Sequence, residues 1–210
     1  GGGIVAASYA PALAAERGTA PKALTFGLGY LFAQAEAGMY CPVCMTDGAA
    51  RLVQKFGTPS LQQLLIPRLA STDLSTLFTG AMFLTEKEGG SDVGQIRTVA
   101  RGGRGVPGET VTLEGEKWFC SNVDADVIMI LARPEGAGAG TRGLGLYVLP
   151  RVLDDGRTRN AFRIERLKDK LGERSFPTGE VTLTGATAYL LGGPGEGFAQ
   201  MTEMLNLSRL

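Results

Sequence analysis

Apolar residues in the first third of the chain recur at helical spacing. Leu52, Val53 and Phe56 share one face of a helix that should begin after Thr46. Thr58-Pro59 has the form of a helix start, with Thr as N-cap and Pro in the first turn. The helix it opens carries Leu61, Leu64, Leu65 and Leu69, and Pro67 is expected to kink or end it. The texture changes near Ser75. From there to Leu191, short apolar or alternating runs are separated by glycine clusters, which predicts strands at 77–84, 95–101, 110–113, 117–121, 127–133, 145–149, 162–167 and 179–183. Thr110, Thr112 and Glu114 alternate with Val111, Leu113 and Gly115, the pattern of a half-buried strand. Glu114-Gly115-Glu116 is expected to turn that strand into the next, and Asp155-Gly156 marks another turn. After the glycines at 192–197, Phe198, Met201, Met204, Leu205 and Ser208 return to helical spacing. The predicted class is α+β: an N-terminal helical segment over 1–75, an antiparallel barrel- or sandwich-like middle domain over 76–191, and the start of a C-terminal helical domain over 192–210.

Composition narrows the chemistry. The 210 residues are 44% hydrophobic and 20% charged, an ordinary globular balance with enough length for a sizeable core. Lys+Arg and Asp+Glu are 21 each, so the chain lacks the basic excess that nucleic-acid backbones select. It has no histidine, which excludes Ser-His-Asp and Cys-His nucleophile systems and His-ligated metals from this chain alone, and no metal is predicted. Three cysteines cannot all pair, which points to a reducing compartment, most simply the cytoplasm. Cys41-Pro42-Val43-Cys44 has redox or zinc spacing, but two thiols without histidine are half a zinc site, and buried structural thiols are expected. The longest apolar stretch, 4–15, is too short for a bilayer and contains Pro11, so no membrane contact is expected. The chain opens Gly1-Gly2-Gly3 without Met and ends at Leu210 in mid-helix pattern, as expected of a piece of a longer polypeptide.

Two segments carry candidate chemistry. In Leu84-Thr85-Glu86-Lys87-Glu88-Gly89-Gly90-Ser91-Asp92-Val93-Gly94 a strand runs into a glycine-rich polar loop. Such a loop exposes backbone N–H groups and hydroxyls to a ligand, and it also suits an ordinary turn with solvated charges. In Gly115-Glu116-Lys117-Trp118-Phe119-Cys120-Ser121-Asn122 two aromatics are adjacent. On an alternating strand they face opposite ways, one to the core and one to a planar ligand, or both serve packing. The stretch from Arg157 to Arg174 holds seven basic residues, but interleaved acids favour a salt-linked solvated face over a polyanion patch.

Together with Arg166-Leu167-Lys168-Asp169-Lys170-Leu171-Gly172 and Gly195-Glu196-Gly197-Phe198, these segments resemble the acyl-CoA dehydrogenase family over about 38–210. The likeness is strongest to its adaptive (alkylation) response branch, through Tyr40-Cys41-Pro42-Val43-Cys44-Met45-Thr46, Thr85–Asp92 and Glu165–Gly172. The resemblance implies a helical domain, a middle β-barrel-like domain and a C-terminal four-helix domain, with FAD between the last two in a homotetramer. It implies that the backbone of Met82-Phe83-Leu84-Thr85 and the Thr85 hydroxyl bond the flavin pyrimidine edge. Gly90 and Ser91 match the loop near the FAD pyrophosphate and the CoA side. Within Phe119-Cys120-Ser121, Phe119 matches the flavin-stacking aromatic, usually Trp, and Ser121 the Thr whose hydroxyl approaches flavin N5. Trp118 is then expected to point into the core. Arg209 matches an Arg near the acyl-CoA entrance, and Asn206 replaces a common Asp there. The family's base is a glutamate expected beyond Leu210; in one branch it sits at the position of Ser208, so no catalytic residue is assigned to this chain. Glu86 and Glu88 are expected to be solvated or to tie the loop. The implied activity is α,β-dehydrogenation of an acyl-CoA or related thioester, with FAD as hydride acceptor. The alternative is a flavin-containing, DNA-protective protein with little turnover, which in this branch meets DNA through its C-terminal region. The isolated 210 residues are expected to retain FAD weakly and to be inactive.

Overall fold

Side-chain caps set where two of the helices begin. In the computed structural model, which describes residues 22–208, α1 (Lys22–Ala35), α2 (Ala37–Phe56) and α3 (Pro59–Leu69) come first. The Glu36 side chain accepts from Gly38 N at 2.9 Å and opens α2 ahead of its expected start, so Cys41 and Cys44 lie inside the helix. Thr46, read as a boundary, is a mid-helix residue. Its hydroxyl donates to Pro42 O (2.7 Å) and accepts from Gly80 N (2.9 Å), which ties α2 to the sheet. Thr58 caps α3 as expected, accepting from Leu61 N. Pro67 does not end α3, because the helix beyond it still closes through Ala70 N to Ile66 O at 3.0 Å.

The strands are β1 (Gly80–Phe83), β2 (Val99–Arg101), β3 (Thr110–Ser121), β4 (Val127–Pro134), β5 (Gly145–Pro150), β6 (Phe162–Leu167) and β7 (Thr178–Leu191). They close into a barrel. One edge of β4 takes β1 and then β2, and its other edge takes β5; β3 joins β2 to β7, and β7 returns to β5, with β6 laid along β7. Two pairings are parallel, β1 with β4 and β2 with β4, against the all-antiparallel expectation. The long excursion through the glycine-rich loop, β2 and β3 supplies the crossover that parallel neighbours need.

Two strands are longer than their patterns predicted. Glu114-Gly115-Glu116 is not a turn: β3 runs through it. The register shifts there because Leu113 pairs with Ala186 and Glu114 with Thr184, leaving Gly185, at φ 83°, as an extra residue on β7. That bulge lets β7 continue from Thr178 to Leu191, where the sequence suggested only 179–183. The expected turn at Asp155-Gly156 is present, with Gly156 at φ 68°.

β4 is buried on both faces, so it reads as an unbroken apolar run. Ile128 and Ile130 fill the barrel with Phe83, Leu113 and Leu183. Val127, Met129 and Leu131 pack outward against Leu52, Val53, Leu65 and Leu69 of the helices. The last helix, α4 (Gly197–Leu207), docks on the same layer through Met201 and Met204. Two glycines permit that approach: a Cβ on Gly48 would lie 2.6 Å from Met204 Cγ, and one on Gly197 would lie 2.3 Å from the backbone carbon of Gly145. Glu203 of α4 then pairs with Arg51 (3.2 Å) and Lys55 (2.7 Å) of α2.

Candidate functional site

The end of β3 carries an irregularity that decides where its aromatics point. Lys117 pairs with Val181 and Cys120 with Gly179, so Trp118 and Phe119 together oppose the single residue Glu180. Lys117 (1% exposed) and Cys120 (0%) both point inward. The two residues between them therefore both point outward. This corrects the expectation that Trp118 enters the core: strict alternation would have split the pair, and the bulge cancels it. Trp118 is half-buried and Phe119 is 52% exposed.

Cations surround this two-ring shelf. The Lys168 ammonium lies 3.2 Å from the Trp118 ring centroid and 4.5 Å from that of Phe119. Lys87 (4.7 Å) and Arg166 (5.9 Å) also face Trp118. Glu180 sits behind the bulge and accepts from Arg166 (2.8 Å) and Lys168 (2.7 Å). Its carboxyl is held down at about 2, first by the Arg166 hydrogen bond and then, against some desolvation, by Lys168.

The first predicted segment meets the second directly, because Trp118 N donates to Thr85 O at 2.8 Å. Met82 and Leu84 turn toward the helix layer, while the Phe83 side chain is sealed in the barrel, as is Cys120. Phe83 and Cys120 can thus offer a ligand only their backbone. Burial pushes the Cys120 thiol up to about 12. The hydroxyls of Thr85 and Ser91 make no hydrogen bond among the described residues, and Gly90 and Ser91 are exposed on the loop.

A buried ion pair holds that loop. Lys117 Nζ donates to Glu86 Oε1 at 2.7 Å with both side chains almost wholly buried. Glu86 also accepts from Arg97 N (2.6 Å), Thr98 N (3.1 Å) and the Thr98 hydroxyl (2.5 Å). Burial alone would raise its carboxyl; Lys117 and these donors outweigh that and hold it below the ordinary value. Glu86 therefore ties the loop and is no free base, while Glu88 is exposed, 3.8 Å from Arg97. Asp92 accepts from Gly94 N and closes the loop's far end.

Ser121 reaches across to β7. Its Oγ is 3.2 Å from Thr178 Oγ1, which accepts from Lys170 Nζ at 2.9 Å. Lys168, Lys170, Arg174, Phe176 and Thr178 line a hollow of about 250 Å³ beside the shelf. Sequence reasoning missed Lys117, Lys168, Lys170 and Thr178 as site residues; the mixed-charge stretch of 157–174 was the signal for Lys168 and Lys170, Lys117 stood within the aromatic run, and nothing marked Thr178. Asn206 is exposed on α4 with no hydrogen bond to the shelf, and Arg209 lies outside the described residues. Cys41 and Cys44 are half-buried free thiols, both pushed up by burial, and no metal-binding cluster exists among the described residues. A larger groove of about 840 Å³ runs between α3 and the loop after β5, lined by Leu64, Arg68, Arg151 and Tyr189, and shares no residue with the shelf.

An exposed aromatic shelf thus abuts a glycine-rich loop on a closed barrel flanked by helices. Residues 81–186 match the acyl-CoA dehydrogenase middle domain, and residues 3–75 match the adaptive response protein AidB N-terminal domain. The chain belongs to the acyl-CoA dehydrogenase family. It is 39% identical to acyl-CoA dehydrogenase family member 11 of Caenorhabditis elegans, over 86% of this chain and 30% of that protein. It is 38% identical to the putative acyl-CoA dehydrogenase AidB of Escherichia coli, over 85% of this chain and 33% of that protein. The chain thus spans about a third of the length of these curated relatives. Among solved structures, the apo form of Bd2924 superposes with a TM-score of 0.88 at 39% identity, over 99% of this chain and 41% of that one. The Caenorhabditis elegans ACDH-11 complex with C11-CoA gives 0.72 at 40% identity, over 80% and 29%.

Proposed function

We propose that the protein is an FAD-dependent, acyl-CoA dehydrogenase-like oxidoreductase. The observation that carries this reading is the junction of Thr85 with the Trp118-Phe119 shelf. Its residues fit an isoalloxazine ring: Phe119 offers an open aromatic face, Thr85 an unpaired hydroxyl beside main-chain groups, and the loop at Gly90-Ser91 an uncrowded approach. A Cβ on Gly90 would meet only Thr85 Cγ2, at 3.5 Å. When bound, the flavin supplies a two-electron acceptor for the β-hydride of an acyl thioester, while a base takes the α-proton and an α,β-enoyl thioester is released. The chain's own part is to orient the ring and hydrogen-bond its edge. The substrate class is an acyl-CoA or related thioester, in keeping with the C11-CoA held by the Caenorhabditis elegans relative. A homotetramer and a cytoplasmic location complete the proposal.

Full-length protein purified with FAD should be yellow and should bleach on anaerobic addition of a suitable acyl-CoA. Colourless protein after FAD supplementation overturns the reading. A second reading, a flavin-bearing DNA-protective protein with little turnover, is favoured by the match of residues 3–75 to the AidB N-terminal domain. It expects salt-dependent duplex binding without acyl-CoA turnover, and no binding at low salt sinks it.

A further inference from the structure

Ser121 stands on the outward face of β3, two residues beyond Phe119, and its hydroxyl does not act alone. Thr178 is 5% exposed, so its hydroxyl proton must find an acceptor inside the protein. Its Oγ1 has two partners, Lys170 Nζ at 2.9 Å and Ser121 Oγ at 3.2 Å. The ammonium has only protons to give, so at that contact Thr178 must accept. Among the described residues, the acceptor within reach of the Thr178 proton is Ser121 Oγ. The direction of the chain follows: Lys170 N–H to Thr178 O–H to Ser121. Ser121 thereby has one lone pair engaged, and its own proton is turned away from Thr178.

Lys170 is well placed to drive this order. Its other hydrogen bond goes to a neutral carbonyl, Phe176 O at 3.1 Å, and its ammonium lies 3.9 Å from the Phe176 ring centroid. No carboxylate lies within 4 Å of it among the described residues, whereas Lys168 is paired with Glu180. A cation behind two hydroxyls polarises both, and such chains strengthen each link.

We infer that Lys170 and Thr178 are positioning residues that fix Ser121 as a hydrogen-bond donor into the slot bounded by Thr85 and Phe119, and so favour the electron-richer state of the ring held there. This rests on the flavin reading above. It adds what that reading lacks, a polarity for the Ser121 hydroxyl and a charge that sets it.

Two measurements test it. In full-length flavoprotein, Lys170→Met, Thr178→Val and Ser121→Ala should each disfavour reduced over oxidised flavin by about tenfold, a fall of about 30 mV in the two-electron potential. Thr178→Ser should restore the wild-type value. The double variant Lys170→Met/Thr178→Val should fall no further than Thr178→Val alone, because the lysine acts through the hydroxyl. A Lys170→Met effect that persists undiminished in the Thr178→Val background, or no shift with flavin bound, overturns the relay. The second measurement needs no flavin. In NMR spectra of this chain, the Thr178 hydroxyl proton should exchange slowly with water and show a cross-peak to the Ser121 β-protons. A protected Ser121 hydroxyl with an exchanging Thr178 one reverses the direction and overturns the inference. Absence of FAD from the full-length protein would count against the function proposed above, and the NMR result would still decide the relay.

Discussion

Lys117 is the side chain on which the loop at the site depends most. It is wholly buried, and its one carboxylate partner, Glu86, is buried with it. Removing a single member strands a charge in the interior, which costs about 3–5 kcal/mol. Urea denaturation of Lys117→Met should show a loss of about that size, and Lys117→Met/Glu86→Leu should recover a large part of it. A Lys117→Met midpoint unchanged from wild type would show that the pair holds nothing. Glu180 makes a different prediction, in pH. Its carboxyl is lowered from 4.5 to about 2 by Arg166 and Lys168, so its stabilising effect is present in full above about 4.5 and fades as the pH falls toward 2. Wild type should therefore lose stability across that window, and Glu180→Gln should lose less. The sequence showed none of this partnership, because Glu86 and Lys117 are thirty-one positions apart, and Glu180 is fourteen from Arg166 and twelve from Lys168. Only the three-dimensional register brings them together. Thr85, Phe119 and Ser121 could be singled out from sequence because they stand in local runs of residues.

At the scale of elements, local chemistry was read well where one residue decides. Thr58 caps α3 as its spacing implied, and Thr58→Ala should cost about 1 kcal/mol in thermal or chemical unfolding. Strand texture was read well in kind but not in length. β3 and β7 seemed shorter than they are because glycines suggested turns where the chain has bulges; Gly115, at φ 143°, sits with its would-be Cβ 2.8 Å from Thr98 Cα. A glycine that relieves a close approach looks, in one dimension, like a glycine that makes a corner. The same blind spot misplaced Trp118. Alternation is a property of an unbroken ladder, and nothing in Lys117-Trp118-Phe119-Cys120 announces that two residues will share one partner. Helix α2 began earlier than its apolar face suggested, since Glu36 supplied the cap.

Across the whole molecule, α4 is held by two surfaces that tolerate no extra carbon. At Gly197 the neighbour is the main chain of Gly145 and Leu146, which cannot move aside as a flexible side chain could. Gly197→Ala should destabilise by about 1–3 kcal/mol. It should also release α4 first, read as faster amide exchange at Met201 and Met204 than in the barrel. Equal protection in variant and wild type would contradict the close docking. Among the described residues no helix is long and apolar enough to cross a membrane, and the buried clusters lie inside the barrel and between helices and sheet.

The doubled residue at the end of β3 has one more consequence. Lys117 and Cys120 are both in phase with the barrel interior, so the strand keeps its reading frame on either side of the aromatic pair. One of the two rings is thus surplus to the ladder. Excising Trp118 outright should leave the barrel folded and in register, with Phe119 alone on the outer surface and Lys168 stripped of its nearer ring. Ordinary strand deletions turn a sheet inside out; here a lost codon would merely trim a ledge.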